Sequence, residues 1–478
     1  MRTVCIVGAG FSGTATAIYL LQKIEGTTTR VVLVDSRPDA GSGVAYETRD
    51  YPYLLNVPAG QMSVDPARPR DFFDFARMRG VKCVETDFLP RALYGEYLKQ
   101  RLNAAIARAP ANVHFSFIRA RVAAIGRANP HSRWRLTFDD GRDMLADRVV
   151  LALGNPPPAH LPQLRAIGNS RYYVHDPWND SEDSWSAPRV LLVGTSLTMA
   201  DVAMRLIHDP TPPISITCLS RHGYLPLRQT TFDRSAARPE AVAEIEAAGS
   251  SLRKLCRVVH ALGDETEARG GDWREIVTIV RRRIPQLWKR LSERDRRRFL
   301  RHVRSVWDKH RHRLPHTTLD EIMRMRRTGL MEIHAGSLVD ARIAGEEVEV
   351  FWRARGRSEI QTLTVDRVIN CTGPDYNVTR SENPLVRQLL SSGFISPDRL
   401  FLGIRTNARY EVVGANGRPV PGLHYIGPWL RARHWEATAV AELRAHATQL
   451  ATLIARGRDP HPRPTITHQK DVEQTDRQ

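Results

Sequence analysis

A glycine-rich turn between a short buried strand and a helix constrains the fold of this chain more than any other feature. The β-branched apolar run 3–7 predicts a strand, the turn at 8–13 has the sequence GAGFSG, and 15–23 has the composition of a helix. A second buried run, 30–35, follows and ends in an acid. Strand, turn, helix and strand in this order predict the opening of a parallel α/β fold.

Each residue of the turn has a physical role in such a fold. Gly8 permits the tight turn, and Gly13 allows the helix to pack closely on the strand. Gly10 lets the backbone approach a pyrophosphate at the positive amino end of the helix. Asp35, 22 residues after Gly13, would accept a hydrogen bond from a ribose hydroxyl. The pattern therefore predicts a dinucleotide-binding domain.

A degenerate second copy of the turn lies in the middle of the chain. A strand at 189–193 precedes Gly194, Ser196 stands at the middle glycine position, and Met199 stands at the third. The small side chain of Ser196 leaves room for a phosphate and can donate a hydrogen bond to it, whereas Met199 prevents the closest helix packing. Binding of a second dinucleotide is the favoured interpretation, and an unoccupied fold is the alternative.

The second copy also differs from the first at its ribose position. Its next strand ends at 219 and is followed by Ser-Arg-His, with Arg221 in place of an acid. A guanidinium there suits a 2′-phosphate, which favours NADPH over NADH.

Two later segments extend the duplication. Residues 147–154 have the sequence DRVVLALG and residues 366–373 the sequence DRVINCTG, so each buried strand ends in a glycine, Gly154 or Gly373. We therefore predict an α/β protein with two doubly wound, Rossmann-like dinucleotide-binding domains and a helical insertion.

Domain boundaries follow from this repeat and from composition. Three prolines at 156–158 mark a crossover, because proline can continue neither a helix nor a central strand. The predicted units are a first part of the first domain at 1–160, a second domain at 161–365 with a helical insertion at about 225–318, a second part of the first domain at 366–455, and a disordered tail at 456–478.

The charge is concentrated in one segment. The net charge is +18, and residues 281–313 alone contribute +11. This raises nucleic-acid binding as an alternative, but the segment lacks the glycine-rich or aromatic pattern of RNA-binding motifs, so nucleic acid is disfavoured. Trp288, Phe299, Val303 and Trp307 interleave with the arginines, which predicts helices packed on the body with their charges in solvent.

Cysteine usage and hydropathy bear on location. The five cysteines lie far apart and include no CxxC dithiol pair, so neither a disulfide framework nor a zinc cluster can be read from them, and a reducing cytoplasm is favoured. Since no apolar run approaches about 20 residues, we expect neither a signal peptide nor a membrane span.

Several short motifs resemble a known family. Together with the two glycine turns, they resemble a bacterial family of FAD/NAD(P)-binding flavoproteins over about residues 1–455. Relatives of the wider fold include N-hydroxylating monooxygenases, and we place a FAD-dependent urate hydroxylase close to this group. The motifs are Asn56-Val57-Pro58-Ala59, Phe88-Leu89-Pro90-Arg91, Gly95-Glu96-Tyr97, His310-Arg311-His312-Arg313, Ile369-Asn370-Cys371-Thr372-Gly373-Pro374 and Trp435-Glu436-Ala437-Thr438.

The resemblance implies which residues bind cofactors. It places the FAD pyrophosphate on the first turn, the adenosine ribose on Asp35, and the adenine against the backbone of Val122. The loop from Asn56 to Met62 would lie against the isoalloxazine. Gly427-Pro428 departs from the usual Gly-Asp, so a helix expected to begin near Trp435 would supply backbone N–H groups. The full predicted set for FAD and NADPH or NADH is Gly8, Gly10, Gly13, Asp35, Asn56, Met62, Val122, Gly154, Gly194, Ser196, Arg221, Gly373, Gly427 and Trp435.

A basic cluster at 310–313 is the candidate substrate site. Beside a flavin it would hold an anionic substrate or the nicotinamide phosphate, and the alternative is a structural basic helix end. Arg311, Arg313 or Gln229 would hold the oxygens and ring nitrogens of urate, whereas Glu436 would seat the ammonium of an amino acid. The two histidines are two positions apart, which is wrong for one helix face, so no metal site is predicted.

Together, these expectations predict that the protein is a flavin-dependent monooxygenase. NAD(P)H would reduce FAD, and O2 would supply one oxygen atom to a small polar or anionic metabolite, with urate to 5-hydroxyisourate as the first choice. The alternatives are N-hydroxylation of an amino acid or amine, a plain NAD(P)H:acceptor oxidoreductase, and a nucleic-acid-binding flavoprotein. The sequence leaves the oligomeric state open.

Overall fold

The computed structural model describes residues 1–47, 49, 51–128, 133–179, 185, 187–230 and 238–457. The predicted disordered tail therefore lies outside the described residues, except that Arg456 ends a helix and residue 457 follows it.

The described residues form strands and helices in alternation. The strands are β1 (Arg2–Val7), β2 (Thr29–Asp35), β3 (Val113–Arg119), β4 (Val122–Arg127), β5 (Trp134–Phe138), β6 (Asp143–Ala146), β7 (Arg148–Leu151), β8 (Tyr173–Val174), β9 (Arg189–Val193), β10 (Ser215–Ser220), β11 (Met331–Ala344), β12 (Glu347–Ala354), β13 (Ile360–Val365), β14 (Arg367–Asn370), β15 (Glu411–Val413) and β16 (Pro419–Tyr425). The helices are α1 (Phe11–Lys23), α2 (Gly43–Tyr46), α3 (Asp71–Met78), α4 (Arg91–Ala107), α5 (Leu197–Ile207), α6 (Pro239–Ala248), α7 (Leu252–Ala268), α8 (Arg274–Arg290), α9 (Glu293–Arg298), α10 (Arg304–Arg311), α11 (His316–Arg327), α12 (Pro384–Ser391) and α13 (Val440–Arg456). A π-helical turn, Phe299–Val303, joins α9 to α10.

The first domain is built on a six-stranded sheet in the order β15-β16-β7-β1-β2-β3. All neighbours pair parallel except β15, which is antiparallel to β16. Every residue of β1 and β7 is buried, because helices such as α1 and α13 cover this sheet.

The second domain is built on a seven-stranded sheet in the order β13-β12-β11-β10-β9-β14-β8. Its strands from β11 to β8 pair parallel, and β12 and β13 extend the sheet as an antiparallel hairpin. The two sheets with their flanking helices confirm the predicted α/β class with two dinucleotide-binding folds.

Backbone hydrogen bonds repeat in the two domains. The Asp147 carboxylate accepts from the Thr3 N–H at 2.6 Å, and the Asp366 carboxylate accepts from the Arg189 N–H at 2.8 Å. In each domain this aspartate therefore ties the start of one central strand to the start of the next. The DRV segments are thus equivalent in structure as well as in sequence.

The pairing of the strands corrects one predicted domain boundary. Residues 113–125 contain two strands of different sheets, because β3 pairs with β2 in the first sheet while β4 starts a separate three-stranded sheet with β5 and β6. The boundary at 366 is too early, because β14 pairs with β9 in the second sheet. The chain returns to the first domain only after this strand.

Two connections cross between the domains side by side. The prolines at 156–158 lie on the first crossing, and Pro158 forms a bridge with Pro374 on the second. The N–H of Asp375 donates to the carbonyl oxygen of Pro157 at 3.0 Å.

The helices α6 to α10 form a cover, which we call the lid, over part of the first domain. Trp288 and Phe299 of the lid share an apolar cluster with Leu402, Ala432 and Trp435 of the first domain. The lid arginines at 294, 297, 298 and 301 are exposed, so the expected division between a packed apolar face and a charged solvent face is confirmed. Across the described ranges, no helix is both long enough and apolar enough to span a membrane.

Candidate functional site

The three glycines of the first turn lie in different surroundings. A Cβ on Gly8 would lie closer than 3.0 Å to the carbonyl oxygen of Ala152, and one on Gly13 would overlap the carbonyl oxygen of Gly8. Both glycines are therefore required by packing. A Cβ on Gly10 would meet only the Cα of Gly43, at 3.8 Å. Gly10 thus leaves open space at the start of α1.

The amino end of α1 is available to an anion. No side chain caps this helix, so the N–H groups of its first turn keep their hydrogen-bonding capacity. Asp35 accepts from the N–H of Ala9 at 2.7 Å through one oxygen and from the N–H of Arg37 at 2.9 Å through the other. These bonds fix the carboxylate beside the turn, and each oxygen retains a lone pair for a hydroxyl donor.

The second turn repeats this geometry. Gly194 has a φ of +121°, and a Cβ there would overlap the carbonyl oxygen of Cys371, the counterpart of Ala152. Ser196 is the N-cap residue of α5, and its side chain makes no capping hydrogen bond. Met199 is fully buried in the core of the second domain. The structure therefore keeps an open helix end in the second domain despite the loss of two glycines.

Arg221 lies exposed directly after β10, where the sequence predicts it. Beside it, His222 contacts the guanidinium of Arg355 at 2.5 Å and stacks on Tyr224 at 5.2 Å between ring centroids. Burial, with Arg355 and Arg221 nearby, lowers the pKa of His222. Sequence reasoning missed Arg355, because this residue follows β12 and lies 134 positions away in the chain.

Three further predicted FAD residues, Val122, Asn56 and Met62, lie in different surroundings. Val122 is buried at the start of β4, just after Ala120, whose N–H donates to the carbonyl oxygen of Asp35 at 3.0 Å. Asn56 is partly exposed, whereas Met62 is buried in the hydrophobic core.

Three further glycines were predicted at strand ends. Gly154 and Gly373 have φ values of +71° and +79°, and a Cβ on either would meet no atom within 4 Å. Gly427 has a φ of +140°, and a Cβ there would lie 2.8 Å from the hydroxyl oxygen of Tyr425. The positive φ explains glycine at all three positions.

The expectation of a helix start near Trp435 is wrong. Helix α13 begins at Val440, and a 3₁₀ turn, Pro428–Ala432, precedes Trp435. Trp435 is 2% exposed and packs against Trp288 and Phe299 of the lid, at 5.1 and 5.0 Å between ring centroids. This residue anchors the lid.

The structure brings two predicted substrate residues together. The Nε of Arg311 donates to one oxygen of Glu436 at 2.8 Å, and the indole N–H of Trp307 donates to the other at 2.8 Å. Burial acts to raise the pKa of Glu436, but Arg311 and the other nearby cations outweigh it, and this pKa lies below its ordinary value. Glu436 is therefore a carboxylate that already has partners, which leaves less capacity to seat an ammonium.

The other two predicted substrate residues have different neighbours. Arg313 is buried, donates from Nε to the carbonyl oxygen of His310 at 3.1 Å, and lies 5.9 Å from the ring centroid of Trp273. Gln229 is partly exposed, and its N–H donates to the carbonyl oxygen of Leu314 at 2.8 Å.

Two arginines at the junction of the lid and the first domain were not identified from the sequence. Arg431 lies on the 3₁₀ turn with its guanidinium 3.7 Å from the ring centroid of Trp435. Arg304 lies on α10, pairs with Asp308 at 3.3 Å, and has its pKa lowered by burial and by Arg431. The sequence feature that could have pointed to Arg431 is its position four residues before Trp435, which was itself predicted to bind the cofactor.

A further contact joins the two domains. Arg91 on α4 pairs with Asp201 on α5 at 2.7 Å, and its guanidinium lies 5.7 Å from the ring centroid of Tyr53 and 5.8 Å from that of Trp178. Burial raises the pKa of Asp201 in spite of this ion pair.

Part of the chain matches a known family model. Residues 5–156 match the model of a family described as FAD-NAD(P)-binding. Over 408 residues the chain is 22% identical to uncharacterized proteins of Mycobacterium bovis and Mycobacterium tuberculosis, which covers 78% of this chain and 74% of each of theirs.

Solved structures are similar over almost the whole chain. An ornithine N-hydroxylase of Kutzneria sp. 744, solved with reduced FAD, NADP+ and L-ornithine, matches with a TM-score of 0.61 and 15% identity over 95% of this chain and 99% of that one. The L-lysine 6-monooxygenase of Pseudomonas syringae matches with a TM-score of 0.59 and 13% identity over 95% and 100%. The cadaverine monooxygenase of Erwinia amylovora, solved with FAD, matches with a TM-score of 0.57 and 14% identity over 99% of each chain. At these identities the likeness concerns the fold.

Proposed function

We propose that the protein is a monooxygenase that uses FAD and NADPH to hydroxylate the nitrogen of a small amine-bearing metabolite. The observation that carries this proposal is the pair of equivalent turns at Gly8 and Gly194, each at the open amino end of a helix at the carboxyl edge of its sheet. The similarity of the fold to N-hydroxylating enzymes over 95% or more of the chain supports the choice of reaction.

The residues of the first turn fit FAD. The open space at Gly10 and the uncapped end of α1 suit a diphosphate, and Asp35 is held where a ribose hydroxyl can donate to it. The family model matched by residues 5–156 supports this assignment. Gly8, Gly10, Gly13 and Asp35 would thus hold the FAD diphosphate and ribose, with Val122 toward the adenine.

The residues of the second turn fit NADPH. The amino end of α5, with Gly194 and Ser196, is uncapped. Two guanidiniums are available near the loop after β10, because Arg221 lies in that loop and Arg355 contacts His222 beside it. Guanidinium groups suit a 2′-phosphate, which NADPH carries and NADH lacks. When bound, FAD would supply the chemistry, because NADPH reduces it and O2 then provides the transferred oxygen atom.

The chain's own contribution would be to exclude water and to orient the substrate. The lid is fastened to the first domain by the Trp288 N–H, which donates to the carbonyl oxygen of Ala432 at 3.2 Å, and by Arg281, which binds Glu442 through two bonds of 2.6 Å. Contacts that hold the lid on the first domain would keep water from the space between them, which suits a reaction that must not release its reactive oxygen to water.

Among the two substrate classes predicted from the sequence, an amine now ranks before urate. The three similar enzymes are named for ornithine, lysine and cadaverine, which are amines and not purines. Urate and a role in purine metabolism therefore stay predictions without support from the comparisons, as does a cytoplasmic location.

A substrate screen tests the proposal. Purified protein loaded with FAD is mixed with NADPH and O2 in the presence of L-ornithine, L-lysine, cadaverine or urate, and NADPH oxidation, hydrogen peroxide and hydroxylamine formation are measured. We expect one class of amine to accelerate NADPH oxidation and to yield a hydroxylamine. NADPH oxidation that yields only peroxide with every compound would favour a plain NAD(P)H:acceptor oxidoreductase, and turnover of urate alone would overturn the choice of an amine.

A further inference from the structure

Arg431 is a buried cation without a counter-charge of its own. The residue is 6% exposed, and its guanidinium lies between Trp435 at 3.7 Å and Tyr376 at 4.9 Å from the ring centroids. Its Nε is buried and has no hydrogen-bond partner within the described ranges. In the same ranges no carboxylate lies within ion-pairing distance of it; Asp375, next to Tyr376, pairs instead with Arg380 at 3.6 Å.

The charges around Arg431 do not balance. Arg304 pairs with Asp308 and Arg311 pairs with Glu436, so these two cations are matched by two carboxylates. Nearby His312 adds no charge at neutral pH, because burial and Arg311 lower its pKa to about 4. The guanidinium of Arg431 is therefore one positive charge in excess. A second donor, the Nη2 of Arg311, is also buried without a hydrogen-bond partner within the described part of the chain.

The location of this excess charge suits a ligand site. Arg431 belongs to the 3₁₀ turn that follows β16, at the carboxyl edge of the first sheet, where open α/β folds bind their ligands. Arg304 and Arg311 lie on α10 of the lid. An anion at Arg431 would therefore sit at the junction of the lid and the first domain.

A buried, unpaired charge destabilises a protein, so an excess cation kept in such a place points to an anion that joins it. The planar fork of a guanidinium matches a carboxylate, which can accept two parallel hydrogen bonds. Arg431 stacks on Trp435, and Arg311 pairs with the next residue, Glu436. We propose that Arg431, together with the unpartnered Nη2 of Arg311, binds a carboxylate of the substrate. This inference rests on the proposed function and narrows the preferred substrates to amines that also carry a carboxylate, such as amino acids, in place of simple diamines.

The experiment compares amino acids with the amines that lack only their carboxylate. Dissociation constants and steady-state constants are measured on the FAD-loaded enzyme for L-lysine against cadaverine and for L-ornithine against putrescine. We expect the wild type to bind the better amino acid at least about 10-fold more tightly than its decarboxylated partner. Arg431→Gln should raise the dissociation constant and KM of the amino acid by about 10- to 100-fold, leave those of the diamine within about twofold, and so abolish the preference.

Two further variants separate recognition from damage to the fold. Arg431→Lys keeps the charge but loses the planar fork, so it should fall between the wild type and Arg431→Gln. Arg301→Gln removes an exposed lid arginine and should leave all constants unchanged. FAD content, the flavin absorption spectrum and the melting temperature are recorded for every variant.

The outcomes separate this inference from the function on which it rests. Hydroxylamine formation with equal binding of acids and diamines would overturn the carboxylate site and leave N-hydroxylation standing. Binding of carboxylates that depends on Arg431, without hydroxylamine formation, would support the carboxylate site and overturn N-hydroxylation. Loss of FAD or an altered flavin spectrum in Arg431→Gln, with the preference for acids unchanged, would also overturn the inference, because the anion would then belong to the cofactor.

Discussion

Replacing Gly10 by alanine should separate flavin binding from folding at the first turn. The φ of Gly10 is −70°, which any L-residue adopts, and the added Cβ would meet only the Cα of Gly43, at the ordinary contact distance of 3.8 Å. The fold should therefore tolerate the methyl group. The diphosphate should not, because the methyl group fills the space that the glycine leaves open. Overlap of this kind costs about 1–3 kcal/mol, so the Kd for FAD should rise by about 5- to 150-fold.

Gly8→Ala is the matched comparison, because it should destabilise the fold itself, whereas Gly10→Ala should weaken only the binding of FAD. Gly8 has a φ of +106°, and a Cβ there would lie closer than 3.0 Å to the backbone oxygen of Ala152. The left-handed conformation costs about 1–2 kcal/mol and the overlap about 1–3 kcal/mol more. At roughly 2–4 °C per kcal/mol for a domain of this size, the apoprotein should melt roughly 5–20 °C lower. Gly194→Ala, which overlaps Cys371 in the second domain, should lower the melting temperature without a direct effect on FAD affinity.

The assay combines thermal melting of the three apoproteins with FAD titrations followed by flavin absorbance. We expect Gly10→Ala to melt within about 2 °C of the wild type, which is the shift that a change of about 0.5–1 kcal/mol produces. Gly10→Val, with its larger side chain, should yield colourless protein. A fully loaded yellow Gly10→Val protein, or a Gly10→Ala apoprotein that melts as low as Gly8→Ala, would refute the assignment of this space to a diphosphate.

The other predictions concern the second domain, the lid and pH. Arg221→Ala should raise KM for NADPH more than KM for NADH in steady-state assays, and equal effects would mean that the 2′-phosphate lies elsewhere. Glu436→Gln should destabilise the protein to urea by about 3–5 kcal/mol, because it strands Arg311, and adding Arg311→Gln should restore most of this loss. Burial lowers the pKa of His434 to about 3 and that of His446 to about 4 from an ordinary 6.5. Below pH 6.5 the unfolded chain therefore binds more protons at these two histidines than the folded protein does. Their contribution to stability is thus full above about pH 6.5 and is lost as pH falls toward about 4, and His446→Gln should flatten the decline in melting temperature over this range.

The fold was predictable because its determinants are local in sequence. The glycines at 8 and 194 and the two DRV strands each combine turn, strand and helix signals within about 30 residues, and the structure places them in equivalent positions. The error in the boundary at 366 arose where pairing is not local. Strand β14 pairs parallel with β9, about 180 residues earlier in the chain.

The contacts of the candidate substrate site were less predictable for the same reason. Arg311 and Glu436 were both identified from sequence, but their mutual ion pair joins positions 125 residues apart. Arg355 contacts His222, in the loop after β10, across 133 positions. Arg431 has no motif of its own, and its lack of a counter-charge becomes visible only when the neighbours from the lid and the first domain are known together. An unbalanced buried charge is a property of the three-dimensional arrangement, and no local sequence pattern encodes it.

One short segment, 428–438, forms the environment of Arg431 and supplies several of the contacts that attach the lid, in addition to the ion pair of Arg281 with Glu442. This segment supplies the Ala432 oxygen that accepts from Trp288, the Glu436 carboxylate that accepts from the lid, and the ring of Trp435 on which Arg431 stacks. Movement of the lid away from the first domain would break these bonds and expose Arg431 to water, where its excess charge costs little. With the lid closed, the same charge is buried and needs an anion. An anionic substrate would therefore favour the closed lid by its differential affinity for the two states, and the segment that recognises the substrate would also be the one that keeps water out.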